Sequence, residues 1–263
     1  MRPPTLRLLL PPSEAKRSGG RGRSLGGREL SGPLGAPRLQ LLRAVASAAS
    51  SDRAAAVAAF HLPPAVAADA LAANARVLDS ATMPAIRRYA GVLYDALGFE
   101  QLPPAGQRVA ARSVLIFSGL FGVLSGHEAI PLYRVPAKAS LPGLGITSTY
   151  WRPVLDEVVP SMLGTGLIVD LRSSDYAAMW RPASAVTQRL LSVRVLSSAP
   201  DGRHRVISYP SKHAKGALCA ELIRRVADGQ QIESARDVGE AWLACGGQHA
   251  DTSIPGHIDL YTS

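Results

Sequence analysis

Apolar residues along the chain fall into two kinds of pattern. Residues 5–10, 114–117 and 167–170 form short runs that are apolar almost throughout and stop at Pro-Pro, Ser-Gly or Asp-Leu-Arg. Runs of that length bounded by such residues read as strands buried on both faces. Between 38 and 112 the pattern is helical and alanine dominates: Ser51 reads as the N-cap of a helix over 52–60, Pro64 suits the first turn of 65–78, and Pro84 opens 85–97. Ser148 or Thr149 starts a further helix running to 163, with Trp151, Val154, Leu155, Val158 and Val159 on one stripe. Residues 185–197 and 203–209 read as a hairpin about Pro200-Asp201-Gly202. Ser211 then caps a helix to 227, Ser234 caps another to 244 that Gly246-Gly247 ends, and a short strand over 257–261 closes the sheet. Segment 117–124 reads as a strand end followed by a short apolar helix or turn. The expectation is an α/β fold, a mixed sheet surrounded by helices, in one domain over 1–263.

Composition narrows this. Hydrophobic residues make up 47% and charged residues 19%, so the chain can bury a sizeable core. No apolar run reaches the roughly 18 residues a membrane span needs, and Leu8-Leu9-Leu10 is too short for a signal peptide, so the expected location is the cytoplasm, with no membrane partner. Cys219 and Cys245 sit in helix-like segments with no Cys-x-x-Cys and read as structural thiols. The net charge is +9. Basic residues crowd the first 53 positions, where the acids are Glu14, Glu29 and Asp52, and again 189–225, where they are Asp201 and Glu221. Such imbalance points to DNA or to a small anionic ligand; arginine-rich base composition yields the same bias. Residues 11–37 hold Gly19, Gly20, Gly22, Gly26 and Gly27 interleaved with Arg17, Arg21, Arg23 and Arg28. They read as a mobile loop over a site, or as a basic segment that follows phosphates.

Four chemistry-bearing segments leave strand ends or open a helix: Ser13-Glu14-Ala15-Lys16, Ser118-Gly119, Asp170-Leu171-Arg172-Ser173-Ser174 and Ser211-Lys212-His213-Ala214-Lys215. In a largely parallel sheet such ends meet, so these loops are expected to converge on one cleft. Ser211 at a helix start, with Lys212 and Lys215, makes an anion site or simply a capped helix with solvated lysines. Lys16 follows the stiff Pro11-Pro12 and is the leading catalytic candidate, with Glu14 as ion-pair partner or proton acceptor. Asp170 and Arg172 pair with each other or position a ligand. Ser118-Gly119 leaves room for a close approach, and Tyr133-Arg134 supplies an anion clamp or a structural arginine at a packing corner. His127 reads as a general base of near-neutral pKa or as a surface residue, with Glu128 the acid beside it. The six histidines show no metal-ligand spacing, and there is no P-loop or Gly-x-Gly-x-x-Gly, so neither metal nor cofactor is expected. A triad of Ser118, His127 and Asp170 lacks the Gly-x-Ser-x-Gly elbow.

In order along the chain, Leu8-Leu9-Leu10-Pro11-Pro12-Ser13-Glu14-Ala15-Lys16, Tyr89-Ala90-Gly91-Val92-Leu93-Tyr94, Phe117-Ser118-Gly119-Leu120-Phe121-Gly122-Val123-Leu124, Val169-Asp170-Leu171-Arg172-Ser173-Ser174-Asp175-Tyr176 and Val206-Ile207-Ser208-Tyr209-Pro210-Ser211-Lys212-His213-Ala214-Lys215-Gly216 resemble the YaaA peroxide-stress protein family, from about residue 8 to about 241. That resemblance implies a fold of the family's own type with a positively charged cleft and a helix-hairpin-helix-like element. It also implies DNA binding and a role in limiting damage during peroxide stress. One departure stands out: after Gly122-Val123-Leu124 the family pattern runs Arg-Pro-x-Asp, and here Ser125-Gly126-His127-Glu128 replaces it. Loss of that arginine fits a second expectation, an enzyme acting on a small phosphorylated or sulfated metabolite, in specialised-metabolite biosynthesis.

Overall fold

The computed structural model describes residues 5–198, 204–205 and 208–262. Its main sheet contains β1 (Leu6–Leu10), β2 (Val114–Ser118), β3 (Gly122–Ser125), β4 (Leu167–Asp170), β5 (Leu190–Ser198), β6 (His204–Arg205), β7 (His249–Asp251) and β8 (His257–Thr262). The spatial order is β7-β8-β5-β4-β1-β2-β3, with β6 paired to the end of β5. β8, β5, β4, β1 and β2 run parallel, whereas β3, β6 and β7 are antiparallel additions, which makes the sheet mixed.

The eight longest helices are α1 (Gly35–Ala49), α2 (Arg53–Ala59), α3 (Pro64–Ala75), α4 (Val92–Leu97), α5 (Pro104–Ser113), α6 (Thr147–Met162), α7 (Ser208–Ala227) and α8 (Ala235–Ala244). They flank the sheet, and α7 packs against α4, α5, α8 and β5. Helices on both faces explain why β1, β2 and β4 carry apolar runs instead of alternation. Leu8, Leu9, Leu10, Ile116, Phe117, Ile168 and Val169 are all fully buried. No single helix among the described residues is long and apolar enough to cross a membrane.

Several boundaries differ from the sequence expectation. Asp52, not Ser51, caps α2: its Oδ1 accepts the Ala55 N–H at 2.9 Å. The expected helix over 85–97 is broken into Ala85–Arg88 and α4. Between them Tyr89 is extended and pairs with Lys16, through Arg17 N–H to Arg88 O and Ala90 N–H to Ala15 O, and Gly91 takes φ +91°. A tertiary backbone pairing has overridden local helix propensity there. Segment 119–121 is a turn rather than a helix, and β3 folds back on β2 after it. α6 opens at Thr147, placing Ser148 and Thr149 inside it, and the Thr147 hydroxyl bonds Pro136 O and Ala137 O instead of capping. The Pro200-Asp201-Gly202 turn lies outside the described residues; β6 does pair antiparallel with β5. Residues 208–209 belong to α7, not to a strand, so Ser211 lies within that helix and does not cap it. Ser234 caps α8 as expected, in a capping box with Asp237.

Candidate functional site

The parallel strands β1 and β4 end on the same side of the sheet, Leu9 opposite Asp170. β5 continues beyond its last pairing with β4, Asp170 with Ser192. The space over that step is a cleft of about 840 Å³. Its walls come from Pro11–Glu14 after β1 and Leu171–Ser174 after β4. Val193–Val195 of β5, Gly91–Tyr94 opening α4, and Ser211, Lys212 and Lys215 on α7 complete them. Of the residues expected to converge, the structure thus brings Ser13, Glu14, Arg172, Ser211, Lys212 and Lys215 to one cleft.

The two arginines on the cleft wall are already engaged. Arg172 makes a bidentate contact with Asp170, at 2.9 and 2.7 Å, and donates to Tyr176 O and Trp180 O. Its guanidinium lies 4.3 Å from the Phe117 ring centroid, and its side chain is 2% exposed. Asp170 is buried and serves as its counter-ion. Arg194 is likewise bidentate to Asp259, with Nε at 2.7 Å. The lysines differ. Lys215 donates to Arg172 O at 3.2 Å and has no carboxylate ion pair among the described residues; burial lowers its pKa, with Asp170 opposing. Lys212 is exposed.

Behind Ser13 and Glu14 lies a second layer. Lys16 is half-buried and donates to Ser13 O at 2.9 Å. Its ammonium nitrogen stands over two tyrosine rings, 4.2 Å from the Tyr133 centroid and 5.2 Å from that of Tyr89. Its nearest acid, Glu14, is paired with Arg134 at 3.3 Å. Desolvation, opposed by Glu14 and reinforced by Arg134 and Arg88, brings the Lys16 pKa down to about 7. Arg134 is held by its own backbone, which exchanges two hydrogen bonds with the Asn74 amide.

The rings under Lys16 are locked by a chain of hydroxyls. Ser118 Oγ accepts the N–H groups of Leu120 and Phe121, at 3.2 and 3.1 Å. With both lone pairs occupied, its O–H is left to donate to Tyr133 Oη at 2.7 Å, and Tyr133 in turn donates to Tyr89 Oη at 2.6 Å. Burial raises the pKa of both phenols, that of Tyr89 to about 12, so the chain stays protonated. Arg88, fully buried, ties down the Gly-Arg loop. Its guanidinium donates to Arg17 O, Gly19 O, Ala81 O and Ile130 O.

A sequence profile described as peroxide stress protein YaaA matches residues 6–241. The chain belongs to the YaaA peroxide stress protein family. It is 38% identical over 237 residues to a UPF0246 protein of Streptomyces coelicolor, covering 88% of this chain and 90% of that one. It is 37% identical over 239 residues to a UPF0246 protein of Corynebacterium efficiens (88% and 92% covered), and 34% identical over 238 residues to one of Corynebacterium glutamicum (89% and 91% covered).

The remaining candidates of this YaaA-family chain lie apart from the cleft. Gly119 is a packing corner: a Cβ there would stand 2.5 Å from Val135 O and 2.7 Å from Pro136 O, so what approaches the backbone closely is the chain itself. The indole N–H of Trp151 donates to Gly119 O at 3.0 Å. In the turn that departs from the family pattern, Glu128 accepts from Ser125 N and Oγ and pairs with Arg38 at 2.6 Å. His127 is exposed, 3.4 Å from Ala111 O. Neither lines the cleft. Among the described residues no three His, Cys, Asp or Glu side chains gather as metal ligands. Burial raises both thiol pKa values, that of Cys245 to about 11, so neither cysteine is a thiolate at neutral pH. Ser173 and Ser174, the end of the segment that leaves β4, line the cleft as expected. Sequence reasoning missed Arg88, Tyr89 and Arg194 as site components: Tyr89 stood inside a motif of the resemblance, whereas nothing in a helical run marks Arg88 as buried.

Proposed function

We propose that the chain is an enzyme that holds a small phosphorylated or sulfated metabolite in the cleft, with Lys16 as the group that exchanges a proton with it. The observation that carries this is the Lys16 amine, half-buried on two tyrosine faces beside a cleft whose free charges are lysines. An amine that titrates near neutrality serves as a general base at physiological pH, where an ordinary lysine is fully charged. A volume of about 840 Å³ is in the range that small-molecule sites occupy. In this reading Lys212 and Lys215 draw in the anion, and the Arg172–Asp170 pair keeps the wall rigid. Glu14 makes its ion pair with Arg134, so its charge offsets only part of the desolvation of Lys16. Incubating the protein and its Lys16→Met variant with a small-metabolite extract, followed by mass spectrometry, tests the reading. Conversion of an anionic compound by the first and not the second is the expected result; no conversion by either, or equal conversion by both, overturns it.

A second reading, DNA binding that limits peroxide damage, is favoured by the +9 charge and by the exposed Arg17, Arg21, Arg23 and Arg28 of the loop anchored on Arg88. Anisotropy of a labelled duplex across salt concentrations checks it. Binding near physiological salt with a steep, linear fall of log affinity against log salt supports DNA, and loss of binding well below that salt removes it.

A further inference from the structure

The chemistry of the cleft wall narrows the ligand class, on the reading that the cleft holds a small anion. A carboxylate is best met by the planar fork of an arginine, two parallel N–H groups for two oxygens. Here both forks on the wall are occupied, Arg172 by Asp170 and Arg194 by Asp259. What remains are point donors. Lys215 is three positions after Lys212 and four after Ser211 on α7, and so neighbours each of them on the helix surface. Lys215 reaches across to Arg172 O, which puts that face next to Ser173 and Ser174. The hydroxyls of Ser173, Ser174 and Ser211 have no protein hydrogen-bond partner among the described residues. Separate hydroxyl and ammonium donors around one point suit a tetrahedral oxyanion with several oxygens.

The rest of the lining is of another kind. Pro11, Pro12, Leu93, Leu171, Val193 and Val195 face the same space. A sugar placed there loses water from its hydroxyls and finds no partner, whereas a flat heteroaromatic ring loses little. The cleft volume of about 840 Å³ leaves room for both a phosphate and such a ring. We propose that the cleft binds a nucleoside monophosphate, its phosphate on Lys212, Lys215 and the hydroxyls of Ser173, Ser174 and Ser211, its base along the apolar wall.

Isothermal titration of the full chain with AMP and CMP, the matching nucleosides, ribose 5-phosphate and benzoate decides this. A monophosphate is expected to bind about tenfold or more tighter than its nucleoside and than ribose 5-phosphate. The Lys212→Ala/Lys215→Ala variant is expected to lose the first advantage and retain nucleoside binding. Lys212→Ala alone, at an exposed position, reports the same loss in part if the double variant folds poorly. Ribose 5-phosphate or benzoate binding as tightly as AMP, with the same lysine dependence, overturns the nucleotide assignment and leaves the small-anion enzyme standing. No binding of any of these compounds overturns both.

Discussion

The Lys16 amine lies 4.2 Å from the centroid of the Tyr133 ring, and the Tyr133 hydroxyl lies between those of Ser118 and Tyr89. The ring that carries the amine is thus fixed from beneath by the strand end of β2. Lys16, Tyr133 and Ser118, from three separate segments, form a single stack with Tyr89 beside it.

That stack gives stability a pH dependence. The folded-state pKa of Lys16, about 7, lies below its ordinary value of 10.5. Between those values the unfolded chain binds more protons than the folded one, so this group's contribution to stability rises with pH across the window. Below pH 7 the buried charge is a full liability. Lys16→Met is therefore expected to stabilise the protein at pH 6 and to give a smaller gain at pH 9.5, read from urea denaturation at both pH values. Equal gains at both would show that the amine titrates normally.

The direction of the hydroxyl chain makes the two tyrosines unequal. With both Ser118 lone pairs taken by backbone N–H groups, Tyr133 accepts from Ser118 and donates its own O–H to Tyr89, which ends the chain. Tyr133→Phe leaves the buried Ser118 O–H without an acceptor and is expected to cost about 1–3 kcal/mol. Tyr89→Phe removes the end of the chain and is expected to cost less. Denaturation midpoints of the two variants rank them, and the reverse order would mean the chain runs the other way.

Arg88 donates to four backbone carbonyls and no carboxylate, and two of them, Arg17 O and Gly19 O, belong to the basic loop. Arg88→Met is expected to cost about 3 kcal/mol or more, since hydrogen bonds from a charged donor are worth about 1.5–3 kcal/mol each. It should also release the loop, so that trypsin cuts at Arg17, Arg21 and Arg23 well before the rest of the chain. Unchanged proteolysis would show that the pairing of Gly22 with Thr82 suffices to hold it.

Gly119 admits no side chain, because the atoms a Cβ would meet are the carbonyl oxygens of Val135 and Pro136, neither of which is a flexible side-chain end. Gly119→Ala is expected to lose about 1–3 kcal/mol. A thermal melt within a degree of the parent would mean that the corner relaxes freely.

Much of the architecture was legible in order and type. The apolar runs of β1, β2 and β4, the proline at the start of α3 and the Ser234 capping box are local signals, and local physics decided them. The α2 cap shows the limit of such reading: Ser51 and Asp52 are both good caps, and only the geometry, with Asp52 Oδ1 on Ala55 N–H, chooses between them. The convergence of Ser13, Glu14 and Arg172 also followed from sequence, because parallel strands deliver their ends to one edge; Ser211, Lys212 and Lys215 reach the same cleft from within α7 instead.

What the chain alone determined, then, is the set of strand and helix segments and which strand ends share an edge, since periodicity and chain direction are written in the residues themselves. Only the tertiary structure decided which charges are free. Arg172, which in sequence could pair with Asp170 or position a ligand, is occupied by Asp170, and Arg194 by Asp259, 65 positions from its partner. Glu128 and His127 stand beside a conspicuous motif yet do not line the cleft. Lys16 is poised near neutrality because residues from two distant segments, Arg88 with Tyr89 and Tyr133 with Arg134, surround it. Desolvation and pairing depend on distances through space between residues far apart along the chain, and no pattern along the sequence encodes them.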